Sequence, residues 1–430
     1  MNVPRVPARG TDPAGSPVDH VSAVASEAPR AGRSGTVRTV AAFAAAYLVV
    51  GLTSLWGNAN ATHPQALTGS AWLDAWIRYD SGWYLNIAQD GYSFATDRQS
   101  PVAFFPAYPM LVRGLAPLVG SAALAGHLLT VACGLGSALL FASWVRARLA
   151  KRARWTAVAL LLLYPYAVFL YGAVYGDALF LLCVVGAFAF VERRWYAAAG
   201  LIGAVATAGR PVGVAIVAGL LVRVLEQQAL DRAAAAAPGP GPDDLARPRR
   251  PVALSQLGRV VPTLQARQWL VLLSLGGIAG WCWYLWRTFG DPFAFLTAEA
   301  TWSQAAGPKT WSKWAFFGAI LKDPMEIRFV LGAQALVSLG AVLLLRQVWR
   351  RFGWGYLAYC LVVLGIPLVG TKDFLGCGRY VMAAFPVLAA AGALVADPAR
   401  ARWVRPVVLT GSATAMLVAT YFFGEGILIS

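Results

Sequence analysis

Asp80, Asp177, Arg210, Lys372, Asp373 and Arg379 stand beside or within long apolar stretches of the chain. A charge in such a place is costly, so each is a candidate for function. Asp80 lies in the polar and aromatic stretch WIRYDSGWYLNIAQDGYSFATDRQSPVAFFPAYP, residues 76–109. A carboxylate on a water-accessible face can take the proton of a hydroxyl, which makes Asp80 the candidate base. Arginine and lysine suit phosphate oxygens, so Arg210, Lys372 and Arg379 are candidate phosphate ligands. Phosphate is already a good leaving group, and transfer from it needs one carboxylate rather than the pair that hydrolases use. On the residues alone a plainer reading is equally open, with Asp80 capping a loop helix and Arg210 snorkelling to the interface. Trp83 and Tyr84 have two readings as well, interfacial packing or stacking on a substrate. The prolines of FFPAYP shape a turn.

The elements that position these residues are membrane helices. Of 430 residues, 58% are apolar and 13% charged, against about 45–50% and about 25% in soluble domains. Repeated apolar runs of spanning length, without the alternation of a lipid-facing barrel, predict an all-α polytopic helical bundle. Basic clusters fix its sides. Arg146, Arg148, Lys151, Arg152 and Arg154 mark the cytoplasm, as do Arg193 and Arg194. Apolar residues 156–191 and 196–225 each lie between two inner basic patches, so each must cross twice, with outer turns near Gly172–Asp177 and at Arg210-Pro211. Their halves are short, which suggests a thinned or water-filled region near Asp177 and Arg210.

The resulting bundle has about 11 transmembrane helices and a large first extracytoplasmic loop at 57–102. It divides into a disordered cytoplasmic tail (1–36), an N-terminal transmembrane module (37–225), a cytoplasmic Pro/Ala/Arg linker (226–268) and a C-terminal transmembrane module (269–430). Residues 37–56 are read as an uncleaved first span rather than a signal peptide. Residues 102–119 lie along or dip into the interface, and Trp302, Trp311 and Trp314 form an interfacial belt. In this topology the whole net charge of +16 falls on the inner side, so no nucleic-acid face is needed. Asp80, Asp177, Arg210, Lys372, Asp373 and Arg379 all fall on the outer side.

The five cysteines include no CxxC and read as small core residues; the three histidines are scattered, and no metal site is expected. No internal repeat is evident, which weighs against a transporter built from two related halves.

Several blocks, in order, resemble the PIG-V-type mannosyltransferases, the GPI mannosyltransferase II-like family of the GT-C superfamily. RYDSGWYLNIAQDGY and AFFPAYP are similar to that family's RWDSGWYxxIAxxGY and AFFPLYP, and VYGDALFL to its YSESLFL. AGRPVG resembles its TRPTG, GDPFAF its GDPLAF, and CGRYVMAAFP its PRYxxxxFP. The likeness covers most of residues 72–390. It departs at Tyr79 (Trp in the family), Asp177 (Glu) and Gly209 (Thr), which blurs the sugar and the acceptor.

The resemblance implies an inverting glycosyltransferase that moves mannose from a polyprenyl-phosphate donor to an acceptor hydroxyl, with Asp80 as base and no metal or other cofactor. Arg78, Trp83, Tyr84, Asp177, Arg210, Lys372, Arg379 and Tyr380 form the expected substrate-binding set. The expected partners are that donor, the bilayer, and a glycolipid, polysaccharide or protein acceptor. The Ala, Gly, Arg and Pro bias suggests a high-GC bacterium, hence a multi-pass plasma-membrane protein with its amino end inside and its active site outside. A flippase for a lipid-linked sugar and a noncatalytic subunit of a transferase complex are the alternatives.

Overall fold

The computed structural model describes residues 18–236, 252–302 and 307–429. Among them the secondary structure is entirely helical. The helices that matter here are α1 (Val18–Asn60), α2 (Asp80–Asp90), α3 (Ala107–Val119), α4 (Ala122–Arg146), α5 (Lys151–Leu162), α6 (Asp177–Glu192), α7 (Tyr196–Thr207) and α8 (Val214–Ala236). They continue with α9 (Gly276–Phe289), α10 (Ala294–Ala300), α11 (Met325–Phe352), α12 (Trp354–Gly370), α13 (Cys377–Ala383), α14 (Phe385–Val395) and α15 (Val404–Glu425).

Six segments are long and apolar enough to cross a membrane: Ser34–Asn60, Ala122–Arg146, Pro211–Ala236, Ala266–Phe289, Met325–Phe352 and Val404–Glu425. The bent pair α13 and α14, broken by 77°, makes a seventh if taken as one span. The expected count of about 11 is not reached on length. It included α5, α6, α7 and α12, which have 12, 16, 12 and 17 residues, and about 20 are needed to cross about 30 Å of hydrocarbon. α3 is shorter still for a span, with 13 residues, and packs on α2 and α4.

Two expected segment boundaries differ from the structure. Residues 1–17, half of the expected tail, lie outside the described residues, but from Val18 the chain is already α1. The expected linker is helical at both ends, since α8 runs on to Ala236 and Leu254–Val260 forms a further helix. The stretch RVLEQQALDRAAAA at 223–236 is rich in strong helix formers. It is also held from outside: Arg194 pairs with Asp231 at 2.8 Å, and Gln227 Nε2 donates to the Val191 carbonyl at 3.1 Å. The middle of that linker, 237–251, lies outside the described residues.

The core gathers where α4, α6, α8, α12 and α14 meet. Phe188, Tyr356, Tyr359 and Phe385 are buried there, and the Phe188 and Tyr356 rings stack at 4.5 Å. At its edge Glu192 ends α6 and accepts from Arg223 (2.9 and 3.0 Å) and Tyr356 (2.8 Å), with Arg148 at 3.2 Å. A half-buried acid with that many donors is satisfied rather than reactive. α6 begins with a second acid, the buried Asp177, about 22 Å away at helical rise.

Candidate active site

Asp80 is placed by its two neighbours. The Arg78 guanidinium is buried and donates from Nε to the carbonyls of Phe423 (3.2 Å) and Gly424 (3.0 Å), with Asn58 as a further acceptor. The Tyr79 hydroxyl donates to the Gly426 carbonyl. These contacts pin the loop to the end of α15. Tyr79 itself has φ 47°, a conformation strained for a residue with a side chain. The kink lets Asp80 open α2, where the helix dipole favours a carboxylate. Tyr175 locks the corner: its hydroxyl accepts from the Asp80 N–H and donates to the Arg78 carbonyl, both at 3.1 Å. Tyr79, the residue before α2, makes no side-chain capping bond, and the Asp80 carboxylate turns to Arg379.

The Asp80 side chain keeps 30% of its surface open, and its Oδ2 lies 3.3 Å from an Arg379 terminal nitrogen. Burial pushes its carboxyl above the usual carboxylate range, while the Arg379 charge and hydrogen bond pull it back.

The same Arg379 nitrogen lies 3.7 Å from Asp177 Oδ2, and that oxygen also accepts from Arg210. Asp177 is 3% exposed and Arg210 6%, so Arg210 is a buried ion-pair partner and not a snorkelling surface cation. Its position follows from a tight α7–α8 turn. At Gly213 an added Cβ would sit 2.6 Å from the Ala206 carbonyl oxygen, and the Ala107 N–H donates to the Ala208 carbonyl at 2.9 Å. The second link ties the FFPAYP loop to the Arg210 corner.

Arg379 sits in α13, its Cζ 5.2 Å and 5.3 Å from the ring centres of Phe169 and Tyr175. Its Nε–H is buried with no hydrogen-bond partner, which is unusual for so strong a donor. Arg210 lies over the Tyr380 ring at 5.6 Å. Two acids and two guanidiniums, drawn from positions 80, 177, 210 and 379, therefore form one cluster.

Of the expected substrate set, Asp177, Arg210, Arg379 and Tyr380 meet Asp80 here. Tyr84 lines the adjoining wall, edge-on to Phe104, Tyr108 and Tyr175. Trp83 stacks on Phe104 at 5.7 Å. Arg78 is committed to the end of α15, and Lys372 is exposed with no contact recorded, so neither joins the cluster. Trp302, expected in an interfacial belt, packs against Trp83 at 5.8 Å, whereas Trp311 and Trp314 are exposed. Phe169 and Tyr175 escaped the sequence reading. Only the position of Tyr175, two residues before Asp177, pointed to it. Among the described residues no three His, Cys, Asp or Glu side chains group as metal ligands.

No protein-family model matches the sequence, and no curated protein does. Among solved structures the chain is similar to ArnT from Cupriavidus metallidurans bound to undecaprenyl phosphate. The identity is 14% and the TM-score 0.51, over 91% of this chain and 76% of that one. The archaeal oligosaccharyltransferase AglB from Archaeoglobus fulgidus, in complex with an inhibitory peptide and a dolichol-phosphate, matches at 13% identity and TM-score 0.46. That match covers 91% of this chain, which spans 56% of AglB, about half its length. The arabinofuranosyltransferase AftD from Mycobacteria matches at 13% identity and TM-score 0.41, over 90% of this chain and 27% of AftD. The likeness to ArnT carries the fold: this chain is an all-α helical bundle that shares the ArnT fold and has apolar segments of membrane-spanning length.

Proposed function

We propose that the chain is an inverting glycosyltransferase that moves mannose from a polyprenyl-phosphate donor to an acceptor hydroxyl on the outer face of the membrane. One observation carries the reading: Arg379 bridges Asp80 and Asp177 while keeping its Nε–H unpartnered. The lipid-linked donor is supported by ArnT, which shares the fold and is bound to undecaprenyl phosphate. Mannose is supported only by the PIG-V-like blocks around Asp80, Asp177, Arg210 and Arg379.

The donor phosphate meets Arg379, whose fork is free to accept it at Nε, with Arg210 behind. As Arg379 turns to the phosphate it loosens its hold on Asp80, whose carboxylate then faces the acceptor. The acceptor oxygen attacks the anomeric carbon from the side opposite the phosphate, and its proton passes to Asp80. The bond from the anomeric carbon to the phosphate oxygen breaks, and the electron pair leaves on polyprenyl phosphate beside the two guanidiniums. On this account the cations supply what a metal would, and activity should survive EDTA in a purified preparation; loss reversed by a divalent ion would refute that part.

The direct test is Asp80→Asn, which keeps the shape of the side chain and removes the base. Transfer of radiolabelled mannose from its polyprenyl phosphate should fall about 10²–10⁴-fold. Activity near wild type would end the assignment.

A further inference from the structure

Trp302 leaves the membrane-belt pattern expected for it. Its ring meets Trp83 at 5.8 Å and Phe104 at 5.9 Å, edge-on to both, while Trp83 and Phe104 lie nearly parallel at 5.7 Å. The three rings come from three separate segments: α2, the turn after Pro101–Ala103, and the residues just past α10. All three are only partly covered. Trp83 follows Asp80 by three residues on α2, so the platform begins one helical turn from the base.

α10 is seated on that platform's edge by Ala294, Phe295 and Ala298, which are buried against Val102 and Phe105. The next residue, Glu299, is half-buried, and among the described residues its carboxyl has no ion-pair or hydrogen-bond partner. Burial pushes it up to about 7. Its carbonyl accepts from the Trp302 N–H at 3.0 Å, which ties it to the platform. Glu299 thus stands beside the aromatic platform, on the segment that carries Trp302.

A covered carboxylate without donors is costly, and partly covered rings packed on one another beside it form an amphipathic surface. A sugar ring answers both, since its C–H face stacks on aromatics and its hydroxyls donate to a carboxylate. Resting on the function proposed above, we propose that Glu299 and the platform of Trp83, Phe104 and Trp302 form the subsite that holds the donor's sugar ring. The donor is favoured over the acceptor because its sugar is bonded to the phosphate, and the platform begins one helical turn from Asp80, which Arg379 meets at 3.3 Å.

The test uses the purified full-length protein in nanodiscs and three lipids: undecaprenyl phosphate and its mannosyl and glucosyl forms. Affinities are read by native mass spectrometry. At least one glycosylated lipid should bind about tenfold tighter than the bare one. Glu299→Gln and Trp302→Ala should each erase that preference and leave the affinity for bare undecaprenyl phosphate unchanged, and Glu299→Gln should also leave the unfolding midpoint unchanged. Glu299→Asp should restore part of it. Variants that keep the preference, or a wild type that shows none while binding all three lipids, would overturn the subsite alone. Binding of none of the lipids would overturn it together with the proposed function.

Discussion

At Asp80 two effects oppose each other. Burial favours the neutral acid, and Arg379, 3.3 Å away, favours the carboxylate; burial is the larger. A general base must be deprotonated to act, so kcat/KM should fall as pH drops through a midpoint above the usual carboxylate value of about 4. Arg379→Gln removes the opposing charge and should move that acidic limb to still higher pH, besides lowering activity. A limb that stays in place in the variant would show that another group titrates. Asp80, Asp177, Arg210 and Arg379 were legible in the sequence because each is a charge at the outer end of an apolar stretch. Arg78 was not. Its guanidinium reads the same on paper as that of Arg210, and only the fold brings the Phe423 and Gly424 carbonyls to it across nearly the whole chain.

Among elements, α15 and α1 hold the geometry of the base. They cross closely enough that Gly57 and Gly424 lie against each other's helix backbone, where an added Cβ would collide with carbonyl groups rather than movable side chains. Gly424→Val should therefore spread α1 from α15, draw the carbonyls from Arg78, and depress both the unfolding midpoint and transferase activity. Arg78→Met strands the same buried acceptors, at about 1–3 kcal/mol for each group left unpaired. The check is thermal unfolding of purified variants alongside a transfer assay, and an active, stable Gly424→Val would show that this crossing does not govern Asp80. Hydrophobic runs locate such helices well, but their lengths are set by where the chain breaks. The breaks beside Tyr164 and Gly209 leave α5 and α7 at 12 residues each, a detail that average hydropathy hides.

For the whole molecule the governing feature is its division into the acid and arginine cluster around Asp80 and a second polar knot around Glu192, joined by α6. Under the positive-inside rule the Glu192 end is expected in the cytoplasm and the Asp80 end outside. Asp97 and Arg400 are exposed on segments assigned to opposite sides. In a Cys282→Ser background, D97C should react with a membrane-impermeant maleimide on intact cells, and R400C only after permeabilisation. The reverse pattern would invert the topology and the sidedness of the chemistry with it. The all-helical membrane architecture was readable from the apolar runs, but the inward turn of Trp302 was not, because tryptophans near a bilayer look alike until their neighbours are known.

The Asp80–Arg379–Asp177–Arg210 cluster is electrically neutral as a set. For the transfer proposed here, a phosphodiester brings one negative charge in, and the product monoester gains another as the sugar departs. The proton landing on Asp80 cancels that second charge on the protein side, so the enclosed region carries the same total before and after the bond is made. Product escape is then tied to reionisation of Asp80, and slow proton loss to water would hold the spent lipid in place.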